Sequence, residues 1–150
     1  MRVWRATPDE APVVAALLTA CRDHLGYEGP DDASFLASVE RLIGREDTEY
    51  LLAATGEDAE GVAQVRYRWS VWWEAEDCWL EDLYVSARAR GSGLGRAMTE
   101  AVLERARERG CRRVELDVSS ENAPAQALYR SLGFDTGKTG GQDLFMRRRL

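Results

Sequence analysis

The apolar positions of this chain fall into helical and extended periods that alternate along its length. Val13, Val14, Leu17, Leu18 and Cys21 recur at helical spacing and predict a first helix. Thr7-Pro8-Asp9-Glu10 ahead of them is a capping box with proline at the first helical position, and Gly26 is a stop. Phe35, Leu36, Val39, Leu42 and Ile43 predict a second helix behind Asp31 or Asp32. Leu94, Ala97, Met98, Ala101 and Val102 predict a third, ending at Gly110, and Pro124 opens a fourth that runs to Leu132 with Gly133 as its stop. Strands are predicted over 2–6, 49–54, 61–69, 78–85 and 113–118. Ser70–Asp77 is short enough for an antiparallel hairpin, and the apolar patches around a glycine-rich loop after Phe134 suggest a final one.

A strand, a glycine loop, a helix and a further strand make a βαβ unit, so strands 78–85 and 113–118 are expected to be parallel. The earlier strands read as an antiparallel meander. The fold expected is α/β, a mixed and mostly antiparallel sheet with helices on both faces, in a single domain over residues 1–150.

The total of 150 residues, 45% hydrophobic and 31% charged, is that of an ordinary globular chain. No apolar run is long enough for a membrane helix, and MRVWRATPDE lacks the apolar core of a secretory signal. A cytoplasmic protein without membrane partners is expected. Twenty basic against 26 acidic residues, net −6, argue against nucleic-acid binding. Cys21, Cys78 and Cys111 fit no metal spacing, and His24 is the only histidine. No metal site is expected, and the cysteines read as buried thiols.

The chemistry concentrates in Trp79–Met98. Gly91, Gly93 and Gly95 alternate with Ser92 and Leu94, flanked by Arg88, Arg90 and Arg96. Alternating glycines let backbone amides converge on an anion, and the next helix adds its unsatisfied N-terminal amides and positive dipole end. A dinucleotide fingerprint fits only in part: Asp117 stands near the distance expected of its acidic residue, but Arg96 replaces the third glycine and too few strands follow. No Gly-Lys-Ser/Thr exists for a Walker loop.

Arg90-x-x-Gly93-x-Gly95, opening a helix after Leu83-Tyr84-Val85, resembles the coenzyme A signature of the GNAT N-acetyltransferase family. Asn122-Ala123-Pro124-Ala125-Gln126-Ala127-Leu128-Tyr129, continuing to Gly133-Phe134, is similar to the family's later N-x-x-A-x-x-x-Y-x-x-x-G-F segment. The element order agrees over essentially the whole chain. Ser86-Ala87 departs from it, where many relatives carry a proline, and this leaves the loop intact.

The resemblance implies acetyl transfer from acetyl-CoA to a primary amine in a ternary complex. It implies cofactor contacts from Leu83, Tyr84, Val85, Arg90, Gly91, Ser92, Gly93, Leu94, Gly95, Arg96, Asn122, Ala125 and Tyr129. The pyrophosphate would lie on the glycine loop, and the pantetheine arm would pair with a splayed strand near Leu83 and Val85. Tyr129 occupies the family's acid position and would protonate the departing thiolate. For the base, Glu81 and Asp82 compete. Adjacent strand residues point to opposite faces, and the family's similar L-E-D stretch favours Glu81, directly or through a water.

Trp69, Trp72, Trp73 and Trp79 lie within eleven residues, interleaved with Glu74, Glu76, Asp77, Glu81 and Asp82. Aromatic faces and carboxylates suit an organic cation, although some of these tryptophans are expected in the core or at a dimer interface. With Tyr27 from an aromatic and acidic loop, Trp69, Trp72, Glu81 and Asp82 form the expected acceptor site for a polyamine, an aminoglycoside-like compound or another amine metabolite. The alternatives are a peptide N-terminal or lysine acetyltransferase and a non-catalytic acyl-CoA-binding homodimer. A homodimer is expected in either case.

Overall fold

The computed structural model describes residues 1–137 and 144–150. It divides into two compact units, Met1–Asp117 and Val118–Leu150, taken in turn.

The first unit is a five-stranded sheet in the order of the sequence: β1 (Arg2–Arg5), β2 (Thr48–Ala54), β3 (Gly61–Ser70), β4 (Ala75–Val85) and β5 (Arg113–Glu115). The first three pairings are antiparallel, and β4 with β5 is the parallel one. Helix α1 (Ala11–Leu25) follows β1, entered through Thr7 and Glu10: the Glu10 carboxylate accepts the Thr7 amide at 2.8 Å and the Trp4 indole N–H at 2.9 Å. Gly26 ends α1 at φ +75°, in the left-handed region that glycine enters without penalty. Helix α2 (Asp32–Leu42) is capped by Asp31, whose carboxylate accepts the Ser34 amide at 2.8 Å. Helix α3 (Leu94–Glu108) crosses from β4 to β5.

Every residue of β2 is buried, because both faces of the sheet are covered. Tyr50, Leu52, Val62 and Tyr84 pack with Val14 and Leu18 of α1 and Val39 of α2. On the other face, Leu94 and Met98 of α3 come so close to Gly61 that a Cβ there would stand 2.7 Å from the Met98 sulfur. Only glycine lets β3 begin under that helix.

Two strand boundaries differ from the sequence pattern. β4 begins at Ala75 rather than Cys78, because Glu76 and Asp77 are engaged by arginines and pair along β3 opposite Trp69 and Arg68. β5 ends at Glu115 rather than Val118. Alternation marks residues that can extend, but a ladder also needs a neighbour, and the pairing with β4 stops at Trp79 and Glu115. From Leu80 to Val85 the outer edge of β4 carries no strand among the described residues.

In the second unit, α4 (Ala123–Ser131) has Pro124 in its first turn and Asn122 as N-cap, accepting the Ala125 amide at 3.2 Å. Gly133, at φ +87°, turns the chain back so that the Phe134 amide reaches the Tyr129 carbonyl. The predicted final hairpin falls partly on residues outside the described ones. Residues 134–137 and 144–150 on either side form no strand, and Leu144, Phe145 and Met146 are exposed.

Candidate active site

Between Gln64–Asp82 and Val65–Leu80 the register of β3 against β4 shifts by one, leaving Glu81 as an extra residue in a bulge. Bulges re-aim side chains and are common beside functional sites. The expectation that Glu81 and Asp82 face opposite sides is therefore corrected. Both carboxylates lie within electrostatic reach of Tyr50, whose hydroxyl is pushed up to about 12 by burial, then by Asp82 and Glu81. The inserted residue breaks the two-residue alternation and turns both acids toward the α1 side.

The two acids differ in surroundings. Glu81 is exposed, with the Gln64 side-chain amide donating to it at 3.4 Å and the Arg66 guanidinium forming an ion pair with it at 3.6 Å. Asp82 is half-buried, and its carboxylate forms no hydrogen bond or ion pair among the described residues. Its pKa lies above the ordinary aspartate value, through burial first, then the charges of Glu81 and Asp117. Asp117 and Asp82 interact across the gap left where β5 ends, a long-range meeting that spacing along the sequence did not reveal. Cys21 of α1 faces the same region, its thiol pushed up to about 11 by burial and then by Asp82.

β4 then runs through Leu83, Tyr84 and Val85 into the glycine loop. A turn of 3-10 helix over Ala87–Ala89 leads to Gly91 at φ +78° and Gly93 at φ +89°. Side chains rarely tolerate these angles, and at Gly91 nothing lies within 4 Å of where a Cβ would stand. Gly93 caps α3, whose first turn begins beside the loop, the Leu94 amide donating to the Ser92 hydroxyl at 3.4 Å. Ser92 closes the turn through its hydroxyl, which donates to the Ala89 carbonyl at 2.7 Å. Arg90 donates to the Val85 carbonyl at 3.2 Å and lies 6.0 Å from the Tyr84 ring. Leu94 is buried in the core, so its side chain anchors the helix while its backbone faces the loop. Gly95 accepts the Thr99 hydroxyl one turn on, at 2.8 Å.

A cradle of left-handed glycines at a helix N-terminus, beside an open strand edge, has the donors that a pyrophosphate and an extended amide arm require.

Other predicted site residues are more dispersed. His24 lies 6.2 Å from the Tyr84 ring, so the loop after α1 holds the exposed Tyr27 at the glycine-loop end of the sheet. Trp69 and Trp72 lie at the opposite end, on the β3–β4 hairpin, and are largely exposed. Trp69 pairs with Glu76, five residues before Glu81, or roughly 16 Å along the strand. The structure does not bring these tryptophans to the acid pair. The carboxylates among them are engaged elsewhere: Glu76 by Arg109, Asp77 by Arg113. In the second unit, Asn122 and Ala125 form the α4 cap. Tyr129 is half-buried, edge-on to Phe134 at 5.7 Å, its hydroxyl raised in pKa by burial.

The model of the Acetyltransferase (GNAT) family matches residues 14–134. The chain belongs to the GNAT acetyltransferase family. An aminoglycoside N(6')-acetyltransferase type 1 of Stenotrophomonas maltophilia is 31% identical over 136 residues, 89% of this chain and 85% of that protein. A mycothiol acetyltransferase of Saccharomonospora viridis is 50% identical over 58 residues, 39% of this chain. The aligned stretch spans only 19% of that relative. A solved structure of an acetyltransferase from Arthrobacter sp. FB24 superposes with a TM-score of 0.90 at 31% identity, over 100% of this chain and 96% of that one.

Proposed function

We propose that this GNAT chain transfers the acetyl group of acetyl-CoA to a primary amine of a small cationic acceptor, by direct attack in a ternary complex. The observation that carries the reading is the bulge on β4. It turns Glu81 and Asp82 to one side of the sheet, just before an open strand edge and a glycine cradle. Acetyl-CoA supplies the activated acyl group as a thioester. Gly91, Gly93 and Gly95 with the first turn of α3 would hold its pyrophosphate, and Leu83 to Val85 its amide arm.

The acceptor arrives as an ammonium, with a reference pKa of about 10, and must lose a proton before it attacks. Glu81, exposed at the bulge, is the base in this reading, directly or through a water. Asp82 and Asp117 add negative charge that draws an ammonium in. Tyr129 keeps its proton because burial raises its pKa, which suits a donor to the departing thiolate. Cytoplasmic location and a homodimer belong to the same proposal.

Support for a small cation comes from the acid pair and from the similarity to an aminoglycoside acetyltransferase over most of both chains. The test is release of free coenzyme A thiol from acetyl-CoA with diamines, aminoglycosides, amino acids or peptide N-termini offered separately. Turnover with polyamines or aminoglycosides is expected. Turnover with peptides alone would overturn the small-cation reading. Acetyl-CoA that stabilises the fold, with no turnover of any amine, would favour the non-catalytic binder.

A further inference from the structure

The entry to the glycine loop is tied to the rest of the first unit through one residue, Glu60. The Ser86 amide donates to the Glu60 carbonyl at 2.8 Å, and the Arg88 guanidinium pairs with the Glu60 carboxylate at 3.1 Å. Among the described residues, the other hydrogen bonds of residues 86–92 all run within 85–94. The Ala89 amide meets the Ser86 carbonyl, the Ser92 hydroxyl the Ala89 carbonyl, and the Arg90 guanidinium the Val85 carbonyl. The Ser86 hydroxyl oxygen is buried without a partner, so it adds no tie of its own. Ala89 is buried and holds the middle of this turn by packing.

Glu60 is itself fixed from its other side. Its amide donates to the Ala53 carbonyl at 2.7 Å, at the end of β2. The Thr55 amide donates to its Oε2 at 3.0 Å, and the Thr55 hydroxyl donates to the same oxygen. Oε2 is thus held by the β2–β3 turn, and Oε1 is the atom that meets Arg88. The Thr55 hydrogen bonds first, and Arg88 after them, hold this carboxyl below the ordinary glutamate value. Arg88 flanks the glycines in sequence like a phosphate ligand, yet its guanidinium is turned to a carboxylate of its own chain.

We infer that Glu60 is a positioning residue for acetyl-CoA, acting through Ser86 and Arg88 to hold the entry to the glycine loop in the form that receives the pyrophosphate. The inference rests on the proposed cradle of Gly91, Gly93 and Gly95. Backbone amides bind an anion when the loop brings them to one point. A loop already held in that form has less freedom left to lose on binding. Glu60 supplies this hold at two places two residues apart, by its backbone at Ser86 and its side chain at Arg88. In this account Arg88 acts on the cofactor through the loop and not by touching the phosphate.

Calorimetry of acetyl-CoA binding to the full chain tests it. Apparent affinity falls with the fraction of chains in the competent form, so Glu60→Gln and Arg88→Met should each weaken binding about fivefold. Glutamine keeps an oxygen for Thr55, and the Arg88 side chain is 64% exposed, so both unfolding midpoints should match the wild type. The double variant should bind no more weakly than either single one, because both remove the same contact. Wild-type affinity in both single variants would overturn the inference, as would losses that multiply in the double variant. A loss confined to one single variant would also overturn it, and one confined to Arg88→Met would mean that Arg88 meets the phosphate itself. Gly93→Ala probes the cradle separately. If that variant binds acetyl-CoA as tightly as the wild type, the cradle reading falls and the inference with it. If it binds weakly while Glu60→Gln does not, the inference alone falls.

Discussion

Glu49 on β2 and Asp82 on β4 are two carboxylates withdrawn from water by the same sheet, Glu49 on its α3 face and Asp82 on its α1 face. Glu49 is almost fully buried and almost fully partnered. Arg105 donates to both its oxygens, at 2.7 and 3.0 Å, Tyr67 donates its hydroxyl at 3.2 Å, and Arg5 stands 3.7 Å away. Burial alone would raise its pKa, but the Arg105 bonds and the charges of Arg105 and Arg5 hold it below the ordinary value. Asp82 is raised instead, with two more acids around it and no cationic partner among the described residues. Burial with partners is structure; burial without them stores a proton-seeking group beside the anion loop. The open depression of about 430 Å³ lined by Arg5, Glu46, Glu49, Arg105, Glu108 and Arg109 belongs to the first kind, since its three basic and three acidic side chains balance one another.

The largest expected effect breaks the satisfied side. Arg105→Met leaves Glu49 buried and short of its main partner, a change that costs about 3 kcal/mol. Urea denaturation should show that loss, while the kcat of the folded fraction stays near wild type. The pH dependence has a definite sign. Glu49, lowered in the folded state, contributes stability that is complete above the ordinary glutamate value of 4.5 and lost as the pH falls through its folded pKa. Arg105→Met should therefore flatten the acid limb of the stability profile.

Next in size is chemistry. Glu81→Gln should lower kcat/KM by about 100-fold, and Tyr129→Phe should do so to a similar extent in kcat alone. Steady-state thiol release at saturating acetyl-CoA measures both, and neither change should move the unfolding midpoint far. A smaller effect belongs to the loop. Gly93→Ala forces a side chain into the left-handed region, at a cost of about 1 kcal/mol. Acetyl-CoA affinity, measured by calorimetry, should weaken by several-fold.

Much of this was legible in the sequence because the signals were local. The capping box at Thr7–Glu10, the stops at Gly26 and Gly133, and the glycine loop before α3 each act through neighbours within a few residues. The parallel pairing of β4 with β5 followed from the crossover alone. What escaped was long-range. A bulge depends on how two strands settle against one another, so no pattern in β4 by itself announces that Glu81 is the inserted residue. The acids Glu76 and Asp77 looked like a cation site until Arg109 and Arg113, 33 and 36 residues on, were seen to hold them. The tryptophans interleaved with them likewise read as an acceptor cage, whereas the hairpin carries Trp69 and Trp72 away from the acid pair.

The contrast between the two carboxylates is tested most directly by one variant, Asp82→Asn, assayed for thermal unfolding and turnover in the same preparation. A carboxylate raised in the folded state contributes stability only at low pH and loses it as the pH rises through its folded pKa, so ionised Asp82 burdens the fold at neutral pH. The account predicts a higher unfolding midpoint at pH 7 together with a fall in kcat/KM of about tenfold, the gain in midpoint vanishing in acid. A lower midpoint at pH 7, or unchanged turnover, would contradict it.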